Sequence, residues 1–266
     1  MPVKITIIGW YGTETIGDRA ILAGIFIFLT KAFGTFEVKL GSLYPFFTER
    51  TLDEDSIFWE KTCGHKFFVQ IFDSKNIYEL DKALKYSDLV IMGGGPLMHI
   101  EPLFMIEYAF KKAKTIGKKT ALLGCGVGPV FINKFKKAIV NIINTSDLIL
   151  LRDSFSGKSL DCILNEYNTV LKNKIFISLD PAVQCAEEFN RLFRKTLKLD
   201  GIVINLRKFP QDYTKSRKNI DINKKLHMFL DFIVSSFPEH NIYLVPMHYF
   251  HIGTDIEQLI FVKKRI

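Results

Sequence analysis

The sequence predicts an α/β chain built on parallel sheet, and three stretches carry that reading. A β-branched run, Val3–Ile8, leads into a loop with glycines at Gly9, Gly12 and Gly17, and an apolar run of helical length follows at 20–33. A second apolar run, 88–92, ends in Gly93-Gly94-Gly95-Pro96, and a third, 120–123, ends in Gly124-Cys125-Gly126-Val127-Gly128-Pro129. Strand, glycine turn and helix in repeated order is the pattern of a doubly wound sheet, whose ligands bind beyond the carboxyl ends of the strands. The first loop is neither G-x-G-x-x-G nor a Walker A loop, so neither nucleotide fingerprint applies.

Taken in order, Val3–Ile8 reads as a strand buried on both faces. Asp18 stands where the helix N-terminus is expected, and the helix dipole favours it there. A strand follows at 36–40. Residues 42–62, with Pro45 and an acidic patch at Asp53, Glu54 and Asp55, read as a long irregular loop with a helical turn. Strands are expected at 67–72, 88–92, 120–123, 147–151 and 174–178. Helices are expected at Ile77–Tyr86, at 103–116 with Gly117 as its stop, and at 134–145. The glycines after 123 read as a turn. A triple glycine at a strand end either lets backbone amides approach a ligand or simply makes a tight turn. Arg152 at a strand end either binds an anion or pairs with Asp153 or Asp147, and Asp153 or Ser154 caps the next helix. Pro181 and the polar residues beyond it suggest a boundary between 180 and 195. The pattern then restarts, with a strand at 202–206, a basic loop at 208–220, an amphipathic helix at 223–237, a strand at 242–245 and a helix at 255–263.

At 266 residues with 48% hydrophobic side chains the chain holds a real core, and the 24 phenylalanines read first as core filler. A net charge of +8 suits an anionic partner, whether phosphorylated substrate, lipid surface or nucleic acid. The basic residues are scattered and no finger, zipper or RNA-binding signature is present, so nucleic acid is not expected. Cys63, Cys125, Cys162 and Cys185 make no C-x-x-C pair and read as reduced thiols of a cytoplasmic protein. A strand begins almost at the first residue, leaving no room for a signal peptide, and the apolar stretch 21–29 is too short to span a bilayer.

The ordered motifs Gly9-x-x-Gly12-x-x-Thr15-x-Gly17-Asp18-x-Ala20, Gly93-Gly94-Gly95, Gly124-x-Gly126-x-Gly128-Pro129, Leu151-Arg152-Asp153-x-x-Ser156, Asp180-Pro181-Ala182, Asn205-Leu206-Arg207 and Pro246-Met247-His248 resemble those of the polysaccharide pyruvyl transferase family. The resemblance covers nearly the whole chain. It implies two Rossmann-like domains in a GT-B-like arrangement, here 1–185 and 195–266, with ligand taken between them. It also implies transfer of pyruvate from phosphoenolpyruvate, the co-substrate, to a sugar, usually as a ketal, with no further cofactor. Family acceptors are exopolysaccharides, capsules and wall glycans, often as lipid-linked intermediates at the inner face of the membrane, so peripheral membrane contact is expected. The chain departs from the family at Thr15, usually Asn, and in ending one helix after His248. The second domain is therefore expected to be incomplete and to expose apolar surface.

For a donor carrying phosphate and carboxylate, Arg207 is the first candidate ligand and Arg152 the second, because guanidinium binds both groups bidentately. Protonation of the enol carbon needs an acid, and His248 is either that acid or a phosphate ligand. Asp18 and Asp153 are candidate bases for the acceptor hydroxyl, or helix caps. Gly12, Thr15, Gly17, Gly93, Gly94, Gly95, Gly126 and Gly128 are expected to line the cleft. His248, His251 and Asp255 have metal-ligand chemistry but lack a further ligand by spacing, so no metal is expected. The alternatives are a GT-B glycosyltransferase using a nucleotide sugar and a truncated, non-catalytic family member.

Overall fold

The computed structural model describes residues 2–64, 69–171, 173–193, 201–206 and 222–247. Its contacts divide the chain into two units, Met1–Arg194 and Lys195–Ile266.

The first unit is built on one parallel sheet of β1 (Val3–Ile8), β2 (Phe36–Ser42), β3 (Val69–Asp73), β4 (Leu89–Gly93), β5 (Pro96–Leu97), β6 (Lys119–Val127), β7 (Leu148–Leu151) and β8 (Ile175–Ile177). The strand order is β3-β2-β1-β4-β6-β7-β8, with β5 beside β6. The chain builds outward from β1 in one direction and from β4 in the other. The carboxyl ends of β1 and β4 therefore flank a topological switch point, the usual ligand position in such sheets.

Both faces of the sheet are covered. Helices α1 (Ile16–Phe33), α3 (Ser56–Cys63) and α8 (Ala182–Leu192) pack on Ile5, Ile7, Val38, Leu40, Ile91 and Leu123. Helices α4 (Ile77–Tyr86), α5 (Leu103–Thr115), α6 (Asn133–Asn144) and α7 (Ser154–Glu166) pack on Ile8, Val90, Met92, Leu122 and Ile149. Successive residues such as Ile7 and Ile8, or Ile91 and Met92, serve opposite faces. Both faces are apolar, which is why these strands read as continuous apolar runs and not as alternating ones.

Four expectations need correction. Residues 42–62 are not an irregular loop: they form α2 (Pro45–Glu54) and α3. Pro45 opens α2, where its missing amide hydrogen would have no helical partner anyway. The glycines after residue 123 are not a turn either, because β6 runs on through them to Val127. Its register on β7 shifts between Leu122 and Cys125, so this is an irregular strand. α1 begins at Ile16, so Gly17 belongs to the helix and not to the loop, while Asp18 stands in the first turn as expected. The phenylalanines are not all core filler. Phe26, Phe36, Phe58, Phe72, Phe110 and Phe135 are buried, but ten other described ones are exposed, including Phe28, Phe176, Phe229 and Phe232.

Asp147 ties the starts of β6 and β7 together. Its Oδ2 accepts from the Thr120 amide at 2.9 Å and its Oδ1 from Lys114 Nζ at 2.7 Å. Burial pushes this carboxyl up, but the Lys114 and Thr120 hydrogen bonds outweigh burial and hold it below its ordinary 3.8. A carboxylate with a depressed folded-state pKa adds stability above its unfolded pKa and loses it as the pH falls through the folded one. Asp147→Asn should therefore be less stable than the parent by about 1 kcal/mol at neutral pH. That deficit should shrink below about pH 4 as the parent carboxylate is protonated. Urea midpoints at the two pH values check it, and a deficit independent of pH would contradict the linkage.

In the second unit, β9 (Gly201–Ile204) and β10 (Asn241–Leu244) pair in parallel, with Ile204 opposite Leu244. Helix α9 (Ile222–Ser236) joins them and packs Leu226, Leu230 and Ile233 against Ile202, Ile204, Ile242 and Leu244. The expected basic loop at 208–220 and helix at 255–263 lie outside the described residues.

Candidate functional site

The carboxyl edge of the large sheet gathers most of the first unit's candidate residues. At the switch point between β1 and β4 the opening loop folds back over the triple glycine. Tyr11 donates its hydroxyl to the Gly93 carbonyl at 2.7 Å, and Trp10 Nε1 donates to the Pro96 carbonyl at 3.2 Å. Gly94 has φ +63°, and a Cβ there would lie 1.9 Å from Ile21 Cγ2. The space of the missing side chains at Gly93 and Gly95 is taken by Ile25 and Trp10. The triple glycine thus lets α1 and Trp10 close on the sheet. The amides of Gly94, Gly126 and Gly128 donate to the carbonyls of Leu123, Gly95 and Leu97, so they are not among the donors left for a ligand.

Thr13 Oγ1 lies 2.9 Å from the Trp10 carbonyl, 3.0 Å from Asp18 Oδ2 and 3.3 Å from Thr15 Oγ1. Asp18 is half-buried in the first turn of α1, where the helix dipole favours its charge. Thr15 is the N-cap residue of α1 without a capping side-chain bond. Gly12, at φ +84°, packs against Ser42 and Tyr44, while Gly17 meets only Thr15. Glu14 adopts a left-handed backbone, φ 57°, and its carboxylate pairs with Arg50 of α2. Arg19 grips Asp55 bidentately at 2.6 and 2.7 Å and reaches Glu54 at 2.9 Å. The acidic patch of the sequence therefore anchors the α2–α3 segment to the start of α1.

On the other side of the switch point, Arg152 follows β7. A Cβ on Gly126 would lie 2.9 Å from the Arg152 guanidinium carbon, so glycine there lets the guanidinium lie on the β6 backbone. Arg152 Nε is 3.3 Å from Asp153 and its Nη1 is 3.5 Å from Asp180. Asp147, the other partner considered from sequence, is held by Lys114 instead. Asp153 is the N-cap of α7, accepting from the Ser156 amide at 2.6 Å. That bond leads the set that holds its carboxyl below its ordinary value. Asp153 is thus a helix cap.

Tyr11 and Cys125 lie between the two halves of this edge. Burial pushes the Tyr11 hydroxyl well above its ordinary value, with Asp18 and Cys125 adding to it. Burial likewise pushes the Cys125 thiol up to about 12, against a smaller pull from Arg152. Cys125 is therefore a neutral thiol and no nucleophile. Arg207 and His248 lie outside the described residues, as do His251 and Asp255. In the chain they follow β9 and β10, which are parallel neighbours.

The profile described as polysaccharide pyruvyl transferase matches residues 16–265 of this sequence. The chain belongs to the polysaccharide pyruvyl transferase family. No curated protein matches it. Among solved structures it is similar to the UDP-GlcNAc 2-epimerase from Methanocaldococcus jannaschii, with TM-score 0.51 and 15% identity over 98% of this chain and 70% of that one. A putative UDP-N-acetylglucosamine 2-epimerase from Listeria monocytogenes gives TM-score 0.51 and 12% identity over 92% and 69%. These likenesses show the fold, GT-B-like α/β, and nothing of the activity.

In this pyruvyl transferase family member, sequence reasoning passed over four residues at the carboxyl edge. Trp10 and Tyr11 close the switch point, and aromatic residues inside a glycine loop were the available signal. Asp180 pairs with Arg152, and its place in the Asp180-Pro181-Ala182 motif could have flagged it. His99 follows β5, its ring 4.1 Å from that of Phe135 and its amide donating to the Pro129 carbonyl at 3.4 Å. Among the described residues no helix is long and apolar enough to cross a membrane.

Proposed function

We propose that the protein transfers a pyruvyl group from phosphoenolpyruvate to a saccharide of a cell-surface glycan, working at the inner face of the membrane on an acceptor that is free or lipid-linked. The observation that carries this reading is the family match over residues 16–265. The donor's methylene carbon takes a proton from an acid, which leaves positive charge at the adjacent carbon. A sugar hydroxyl adds there and gives its proton to a base. The carbon–oxygen bond to phosphate then breaks and inorganic phosphate departs with the bonding pair; a second hydroxyl adds to the oxocarbenium carbon left behind, gives its proton to the phosphate, and closes the ketal.

Arg207 is assigned to the donor's anionic groups and Arg152 assists. Two carboxylates already face Arg152, so it would exchange them for the donor. His248 serves as the acid or holds the phosphate. Asp18 is the assigned base, supported by its half-buried place beside Thr13. The competing glycosyltransferase reading draws only on fold. The test is an acceptor screen with phosphate release as readout. Release that depends on both phosphoenolpyruvate and a saccharide, with a pyruvylated product in the mass spectrum, is the expected result. Acceptor-dependent release of a nucleoside diphosphate from a nucleotide sugar would overturn it.

A further inference from the structure

Thr13 stands in the loop between β1 and α1 with a left-handed backbone on each side. Gly12 has φ +84° and Glu14 has φ 57°, a region that glutamate enters only at a cost. The Glu14 carboxylate pairs with Arg50 of α2, which holds that residue in place. Between the two, Thr13 Oγ1 lies 2.9 Å from the Trp10 carbonyl oxygen and 3.0 Å from Asp18 Oδ2.

One hydroxyl hydrogen therefore faces two acceptors. A threonine hydroxyl donates once, and neither a peptide carbonyl nor an ionised carboxylate donates in return. A hydrogen bond to a charged oxygen is roughly twice as strong as one to a neutral oxygen, so the hydrogen goes to Asp18 while Asp18 is ionised. Thr15 Oγ1, 3.3 Å from Thr13 Oγ1, makes no capping bond to α1 and can donate to a Thr13 lone pair. The α1 dipole and the Thr13 bond both favour a charged Asp18, the form a base must have before it takes a proton. Of the titratable groups beside Asp18 among the described residues, Tyr11 gives its hydrogen to the Gly93 carbonyl, and burial keeps it protonated. Arg19 on α1 is engaged by Asp55 and Glu54, and Glu14 by Arg50.

We propose that Thr13 is a positioning residue: its hydroxyl holds Oδ2 of Asp18 and keeps that carboxylate charged and oriented as the base for the acceptor hydroxyl. This rests on the assignment of Asp18 as that base. In the step it serves, the acceptor oxygen bonds to the donor carbon and its proton passes to Asp18.

Asp18 is read directly in protein carrying carbon-13 in its aspartate carboxyls, its signal identified by loss in Asp18→Asn and followed against pH. Thr13→Val keeps the side-chain shape and removes the hydrogen. It should move the Asp18 midpoint up by about one pH unit, and Thr13→Ser should return it to within about 0.3 of the parent. Thr13→Ala removes the same hydrogen and serves if Thr13→Val fails to fold. Turnover is measured on the same proteins with phosphoenolpyruvate and acceptor. Thr13→Val should lose about tenfold in kcat at unchanged KM, its acid limb should move up with the midpoint, and Thr13→Ser should recover most of the loss. In an Asp18→Asn background Thr13→Val should cost no further turnover, because Thr13 acts through Asp18. An unmoved midpoint in the folded variant would overturn the proposal, and so would a loss of turnover that is equal with and without Asp18. The midpoint is measured without donor or acceptor, so it decides the role of Thr13 even if the parent releases no phosphate, a result that would count against the transfer reaction alone.

Discussion

Gly24→Ala should destabilise the protein by about 2–3 kcal/mol, although the substitution improves helix propensity. Gly24 lies inside α1, where alanine is favoured over glycine by about 1 kcal/mol. Here that gain is outweighed. A Cβ on Gly24 would lie 1.7 Å from the Pro181 carbonyl oxygen and 2.4 Å from its carbonyl carbon. Those are backbone atoms, so no rotamer change relieves the overlap, and α1 must part from the loop that leads into α8. Pro181 cannot retreat toward the sheet, because its ring already fills the space a Cβ would take on Gly124. For a unit of this size a loss of that order lowers the melting temperature by roughly 5–10 °C. Gly17→Ala in the same helix is the control. Its nearest neighbour is Thr15 Cγ2 at 3.8 Å, so alanine there should be neutral or stabilising by up to about 1 kcal/mol. Two melting curves decide it: equal shifts for the two variants would contradict the assigned contact.

Arg207→Ala should weaken phosphoenolpyruvate binding about tenfold to a hundredfold. Charge-assisted hydrogen bonds to an anion contribute roughly 1.5–3 kcal/mol each, and a single guanidinium makes one or two. Arg207 and His248 follow β9 and β10, which pair in parallel from Gly201 opposite Asn241 to Ile204 opposite Leu244. Both residues therefore come after the carboxyl ends of neighbouring strands, the ligand edge of such sheets. His248→Ala separates its two roles. Loss of turnover with donor affinity kept marks the acid, and loss of both marks a phosphate ligand. Calorimetry with the donor and phosphate-release rates give the two numbers. Unchanged affinity in Arg207→Ala would remove that residue from the donor site.

Much of this fold is written in the sequence because its strands are buried on both faces. Val3–Ile8, Leu89–Gly93 and Leu148–Leu151 are short, mostly apolar runs, and a covered parallel sheet suits runs of that length. The α2–α3 segment was not legible. Pro45 and the acidic Asp53-Glu54-Asp55 run read locally as a loop, and the cation that holds the end of this run, Arg19, lies 35 residues upstream of Glu54 and 36 upstream of Asp55. The path of β6 was hidden for a related reason. Gly124 and Gly126 look like a turn, but they leave room for Pro181 and Arg152 to lie against a continuing strand. In the site, Arg152 was legible as a strand-end cation, while its partner Asp180 depends on β8 lying beside β7. Local signals named the residue types, and long-range packing chose the partners.

Whether this chain takes phosphoenolpyruvate, as proposed, or a nucleotide sugar is read most directly from the melting temperature of the unmodified protein with each. A ligand that binds only the folded state at about a hundred times its Kd stabilises by about 2.7 kcal/mol, which is several degrees for a chain of this length. Phosphoenolpyruvate should raise the melting temperature by that order while UDP-N-acetylglucosamine leaves it unchanged. A rise with the nucleotide sugar and none with phosphoenolpyruvate would contradict it.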